Sequence, residues 1–195
     1  MIRKLSPEKR ESFLSAALKL FVENGLQGTS TAAIAKEAGT ASGTLFLYFP
    51  TKQDLIDELV LKIGREQSET ITARLNPGLS AQEMFQRIWD ASIRWFMANL
   101  KAYEYIQVVR DSGVISEEVI EDSGQLFSFY YAAIQKGLAE GTIKPYPLEL
   151  IGEMLYRDIV AVMNLIKEQP TPELQEKYLQ SGFEIFWNGI KASEV

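Results

Sequence analysis

Apolar residues recur at helical spacing along nearly the whole chain, and no stretch alternates apolar with polar residues as a half-buried strand would. Local start and stop signals divide the pattern. Ser6-Pro7-Glu8 reads as an N-cap, a proline at the first helical position and an acid in the first turn, ahead of Phe13, Leu14, Ala17, Leu18 and Phe21. Asn24-Gly25 ends that helix with residues able to take positive φ. The spacing predicts a short helix over about 31–38, with Ile34, Ala35 and Ala38 inward and Gly39 at its end. A third follows over about 41–48, and Pro50 breaks it. Thr51-Lys52-Gln53-Asp54 resembles a capping box opening a long helix to about Leu75, before the break at Asn76-Pro77-Gly78.

The same grammar continues. Ser80 and Glu83 form a capping box before Met84, Phe85, Ile88, Trp89 and Phe96. A shorter helix is predicted over 103–110. Ser116 caps another, with Ile115 and Ile120 as a hydrophobic staple, running to about Ala139. Two more are predicted over 148–167 and 172–191, separated by the loop 169–172. The expectation is an all-α chain of about nine helices. Residues 1–52 form a three-helix domain, residues 53–195 a larger helical domain, and the helix 53–75 connects them.

Composition removes several kinds of chemistry. The 195 residues include no cysteine and no histidine, so there are no disulfides, thiolate or HExxH metal sites and no Ser-His-Asp triad. No metal or cofactor is expected. No apolar run is long enough to span a bilayer and the first residues lack a signal-peptide core, so a cytoplasmic protein without membrane attachment is expected. The net charge of −6 is unevenly spread. Residues 1–52 hold seven Lys/Arg against four Glu, and the remainder is acidic.

That basic segment contains the most informative stretch, Thr40-Ala41-Ser42-Gly43-Thr44 followed by Leu45-Phe46-Leu47-Tyr48-Phe49. Two short helices joined at Gly39 outline a helix-turn-helix. Ala41, Ser42, Gly43 and Thr44 give the second helix a face slim enough for a DNA major groove. Five large residues in a row cannot all face inward. Leu45 and Phe49 are placed in the core. Phe46, Leu47 and Tyr48 then lie outward, where thymine methyls, sugars and phosphates would meet them, with Lys52 one turn on.

Residues 29–56, TSTAAIAKEAGTASGTLFLYFPTKQDLI, closely resemble the DNA-binding signature of TetR-family transcriptional repressors. Phe13 through Gly25, with Ser30-Thr31, carry that family's upstream pattern. The resemblance implies a homodimer that binds a near-palindromic double-stranded DNA operator and is released by a small-molecule effector held in the C-terminal domain. It places phosphate contacts near Thr31, Tyr48 and Lys52, and base-reading positions on Ala41, Ser42, Thr44 and Leu47. This chain departs from the family pattern at Phe46, where the common tyrosine hydroxyl is lost, at Leu47, where a polar group is common, and at Ala32, where some members carry arginine. The departures imply readout weighted to thymine methyls and groove shape.

Aromatic residues concentrate after residue 84. Most belong to an ordinary core, but an apolar ligand pocket is lined by the same residue types. Trp89, Phe96, Tyr103, Phe127, Tyr131 and Tyr156 are the candidates. Leu155 and Ile159, with Phe183 and Trp187, form stripes on the last two helices that a two-fold partner would bury as a four-helix bundle, unless their own domain covers them. Two other readings stay open: a helical interaction adaptor without DNA binding, and an all-helical enzyme using acids such as Asp111, Glu121 and Asp158.

Overall fold

The structure is a computed structural model that describes residues 5–169 and 171–193. Arg3 and Lys4 of the basic segment and Pro170 of the last loop lie outside these residues. The described chain forms ten helices: α1 (Pro7–Gly28), α2 (Thr31–Glu37), α3 (Ser42–Leu45), α4 (Lys52–Thr72), α5 (Ala81–Ala98), α6 (Leu100–Ser112), α7 (Glu117–Leu126), α8 (Ser128–Ala139), α9 (Leu148–Ile166) and α10 (Pro172–Ile190). Among the described residues, extended backbone pairs in a single bridge, Ile143 to Lys191.

The caps act where the sequence places them. Ser6 Oγ accepts from the Lys9 amide and Ser30 Oγ from the Ala33 amide. Ser80 and Glu83 close a reciprocal box, as do Thr51 and Asp54. Gly25 takes φ 72° and kinks α1 at the expected stop. The expected helix over 116–139 is instead two, because Phe127 leaves helical geometry (φ −104°, ψ 23°). That break raises the number to ten. Ser116 does cap α7, but Ile120 points to solvent and makes no staple, while Val119 turns inward.

The chain folds as two compact units. The first comprises the residues up to Arg65 together with Asn99–Ser123; the second comprises Glu66–Ala98 and Gly124 onward. The first unit therefore includes α6, which the expected division at residue 52 assigned to the larger domain. Its core gathers Phe13, Leu14, Ala17 and Phe21 with Ile34, Ala35, Leu45, Phe49, Leu55 and Leu59. Tyr105 of α6 joins it. Its ring stacks on Phe21 at 5.9 Å, and its hydroxyl donates to the Ile56 carbonyl at 2.9 Å. Burial pushes the Tyr105 hydroxyl well above the ordinary phenol range, so it stays protonated.

Thr29 is fully enclosed in this unit. Its one hydroxyl proton is shared between the Leu20 carbonyl at 2.9 Å and the Gly25 carbonyl at 2.8 Å, beside the kink in α1. Thr29→Val keeps the shape and removes the donor. We expect a loss of about 1–3 kcal/mol of stability, measurable by urea unfolding; an unchanged midpoint would show that the hydroxyl is dispensable.

The second unit is organised on Trp89 of α5, which is wholly buried. Its indole N–H donates to the Leu179 carbonyl at 2.9 Å. Its ring stacks on Phe186 at 6.2 Å and meets Phe183 edge-on. α10 comes this close because of Gly182. A Cβ there would lie 2.5 Å from Val162 Cγ2 and 2.8 Å from Trp89 Cζ2. Leu155, Ile159, Phe183 and Trp187 are all buried within this same unit of the single chain.

Candidate nucleic-acid interface

The interface is built on α2, the turn at Gly39 and α3. Gly39 takes φ 69°, which ends α2 sharply. The Thr40 amide donates to the Ala35 carbonyl at 2.9 Å and fastens the turn. Ile34, Ala35 and Leu45 are buried, so the two short helices meet through small and branched residues. Regular α geometry in α3 covers only Ser42–Leu45. Turn bonds then carry the chain to Phe49, whose amide donates to the Leu45 carbonyl at 2.9 Å.

This geometry resolves the crowded apolar run. Leu45 and Phe49 face the core, whereas Phe46 is 45% exposed and Leu47 67% exposed. Ala41 and Gly43 are exposed; Ser42 and Thr44 are half-buried, with their outer edges reaching solvent. Apart from its chain neighbours and its own helix backbone, no heavy atom lies within 4 Å of where a Cβ on Gly43 would be, so the face is open there. Thr31 is half-buried at the first position of α2, beside its cap Ser30.

Tyr48 is half-buried, its ring 5.4 Å from that of Phe13. Its hydroxyl accepts the Ser6 amide at 2.9 Å, a bond that does not use the hydroxyl's own proton. It therefore ties the end of the recognition segment to the start of α1. Lys52 also has a partner within the chain. Its ammonium donates to the Leu26 carbonyl at 2.5 Å and lies 6.0 Å from the Phe21 ring centroid. Part of the segment's basic charge is also paired locally: Lys19 with Glu37 at 2.6 Å, and Arg10 with Glu58 at 2.9 Å.

The aromatic candidates for a ligand site scatter. Trp89 and Phe96 are buried in the second unit, and Tyr103 is buried in the first. Phe127 and Tyr156 are half-buried, and Tyr131 is exposed. The second unit also holds a polar pair that the sequence reading did not single out. The hydroxyls of Ser92 and Tyr130 lie 3.3 Å apart, and burial pushes Tyr130 up to about 12. Ser92 sits in the apolar register of Ile88, Trp89 and Phe96, a signal that was available in the spacing. Thr29 and Tyr105 gave no comparable signal. Of the acids, Asp111 and Glu121 lie in the first unit and Asp158 in the second. Among the described residues no group of three His, Cys, Asp or Glu side chains is placed to hold a metal ion.

The sequence profile of bacterial regulatory proteins of the tetR family matches residues 13–59, the stretch from the first core residue of α1 into α4. Over the whole fold, a solved TetR-family transcription regulator from Shewanella sp. PV-4 is similar at 31% identity, with a TM-score of 0.87, covering 95% of this chain and 99% of that one. The chain belongs to the TetR family. The HTH-type transcriptional regulator YhgD of Bacillus subtilis, itself uncharacterised, is 24% identical over 170 residues, 86% of this chain and 89% of its own. The transcriptional repressor KstR2 of Mycobacterium tuberculosis is 26% identical over 156 residues, 77% and 76% of the two chains. This TetR-family chain is accordingly a helix-turn-helix transcriptional regulator. Among the described residues no helix is long and apolar enough to cross a membrane.

Proposed function

We propose that this TetR-family protein is a homodimeric repressor that leaves a near-palindromic operator when a small, mostly apolar effector binds its second unit. The observation that carries DNA reading is the outward face of α3 and the residues flanking it: slim at Ala41, Ser42, Gly43 and Thr44, apolar at Leu47, and open to solvent. Thr44 and Leu47 suit thymine methyls, and the Tyr48 hydroxyl has a proton to donate to a phosphate. Thr31 would meet the same backbone. The name of KstR2 as a repressor supports repression here.

Support for the dimer comes from the outer faces of α9 and α10. Leu150, Met154 and Leu165 on α9, with Leu174 and Ile185 on α10, are exposed in the single chain. They lie on the sides opposite the buried Leu155, Ile159, Phe183 and Trp187. A two-fold partner covering them completes a four-helix bundle and sets two recognition helices about 34 Å apart. Support for the effector comes from the half-buried Phe127, Phe129 and Tyr130 cluster, ring centroids 4.8–5.9 Å apart, beside the Ser92 hydroxyl. α4 is one continuous helix with residues in both units, so it is the element through which a ligand would shift the spacing of the recognition helices.

The test is selection of a binding site from random-sequence DNA, followed by affinity against salt. A regulator gives a symmetric site bound at least about 10³-fold more tightly than random DNA. Thr44→Ala should lower discrimination at one base pair per half-site by about 1–3 kcal/mol while leaving affinity for random DNA unchanged. Equal loss on both DNAs would remove Thr44 from base reading. An effector found by calorimetry must bind free protein more tightly than the DNA complex, by the factor with which it weakens DNA binding.

A further inference from the structure

Gln67 interrupts the apolar stripe of α4. Ile63 and Ile71, one turn to either side of it, are buried, and the spacing calls for an apolar residue between them. Gln67 is itself only 6% exposed. A carboxamide carries two donors and an accepting carbonyl, and is costly to bury bare. Among the described residues the Gln67 amide has no hydrogen-bond partner. Its polar atoms are not sealed in, since no fully enclosed side-chain nitrogen or oxygen among the described residues lacks a partner. The amide therefore keeps a small accessible surface between two buried isoleucines.

The other polar groups of this region are committed to one another. Ser68, the next residue, donates to the Leu126 carbonyl at 2.7 Å and fastens α4 to the break between α7 and α8. Phe127 follows, its ring 5.9 Å from that of Tyr130, and the Tyr130 hydroxyl pairs with Ser92. Among the described residues the buried polar side chains of the second unit are Gln67, Ser68 and Ser92, all neutral. An ion entering this interior would shed its water and meet no buried counter-charge. A neutral group that both donates and accepts, such as another carboxamide, can instead make two parallel bonds to Gln67.

We propose that Gln67 is the polar anchor of the effector site, and that the effector carries a neutral donor–acceptor head group of the amide type on an apolar body. The proposal rests on the reading of the second unit as an effector domain and names its specificity. Gln67 lies just inside that unit on α4, the one helix continuous with the first unit, so a bound head group acts on the coupling element itself.

Three probes alike in ring and different in head group test the chemistry by calorimetry on the wild-type protein: β-naphthamide, β-naphthoate and β-naphthylmethylammonium. The amide should bind at least about tenfold more tightly than either ion. Equal or tighter binding of an ion, or no binding of the amide, overturns the proposal. Gln67→Met keeps the bulk of the side chain and removes its polar end. It should weaken β-naphthamide about tenfold and leave both ions at wild-type affinity. Its urea midpoint should stay level or rise, because a bare amide is no longer buried. A midpoint lowered in Gln67→Met and Gln67→Leu alike means that the amide holds the fold, and overturns the anchor. The repressor reading fails separately. If β-naphthamide binds through Gln67 yet leaves affinity for the selected DNA site unchanged, the anchor stands and induction from it falls. If a DNA site is selected but no probe binds, the anchor falls and DNA reading stands.

Discussion

Ile185→Glu is expected to convert the protein to monomers and to weaken operator binding about 10²–10⁴-fold, the contribution of joining two half-sites in one molecule. Ile185 is 73% exposed, the highest value among the exposed large apolar side chains of the described residues. A glutamate there stays in water in the monomer and is stripped of it in a dimer. The monomer should therefore keep its helical content while the dimer is lost. Light scattering, circular dichroism and anisotropy on the selected DNA site measure the three quantities. A dimer that persists at micromolar concentration with full operator affinity would move the interface away from the outer faces of α9 and α10. The same charge at Ile159 or Phe183 asks a different question. Both are buried in the second unit of a single chain. A glutamate there must desolvate inside the core and would unfold the unit before it parted two subunits.

The second large effect is expected at Trp89. Trp89→Ala should lower stability by about 3–5 kcal/mol, because it empties the centre of the second unit and removes the bond to the Leu179 carbonyl. Gly182→Ala should lower it by about 1–3 kcal/mol, since the added methyl meets Val162 and the Trp89 ring, neither of which has room to yield. The double variant should lose less than the sum, because removing the indole opens space for the Gly182 methyl. Urea unfolding followed at 222 nm checks all three. Simple additivity would show that the close approach of α10 is not set by the Trp89 ring. Trp89 was also a candidate for lining a ligand site. Its complete burial and its bond to Leu179 give it a structural role that a ligand is not needed to explain.

Much of the outward face that we propose reads DNA was legible in advance. Five large residues after a slim run can be divided only by helical geometry, and that geometry puts Leu45 and Phe49 inside and Phe46 and Leu47 outside. Tyr48 is a mixed case: half outward, as expected, yet also fastened to Phe13 and Ser6. The end of the Lys52 side chain was not legible. A flexible four-carbon stem reaches either a phosphate or a carbonyl, and the carbonyl lies twenty-six residues away. Helix breaks without glycine or proline were also hidden. Phe127 interrupts the run from Ser116, whereas Gly124, three residues earlier, stays inside α7.

By itself the sequence determined the helical class, the positions of the capped starts and glycine stops, and the outward face of the recognition segment. Those signals act within about one helical turn, so neighbouring residues suffice to state them. Only the tertiary structure decided that α6 belongs with the helix-turn-helix, that Lys52 turns back to Leu26, and that the apolar stripes at Leu155, Ile159, Phe183 and Trp187 face their own unit. Helices α9 and α10 carry apolar residues on two sides. Periodicity shows that a side is apolar, but which side the chain covers itself depends on how closely helices distant in sequence approach, here through Gly182 against Val162 and Trp89.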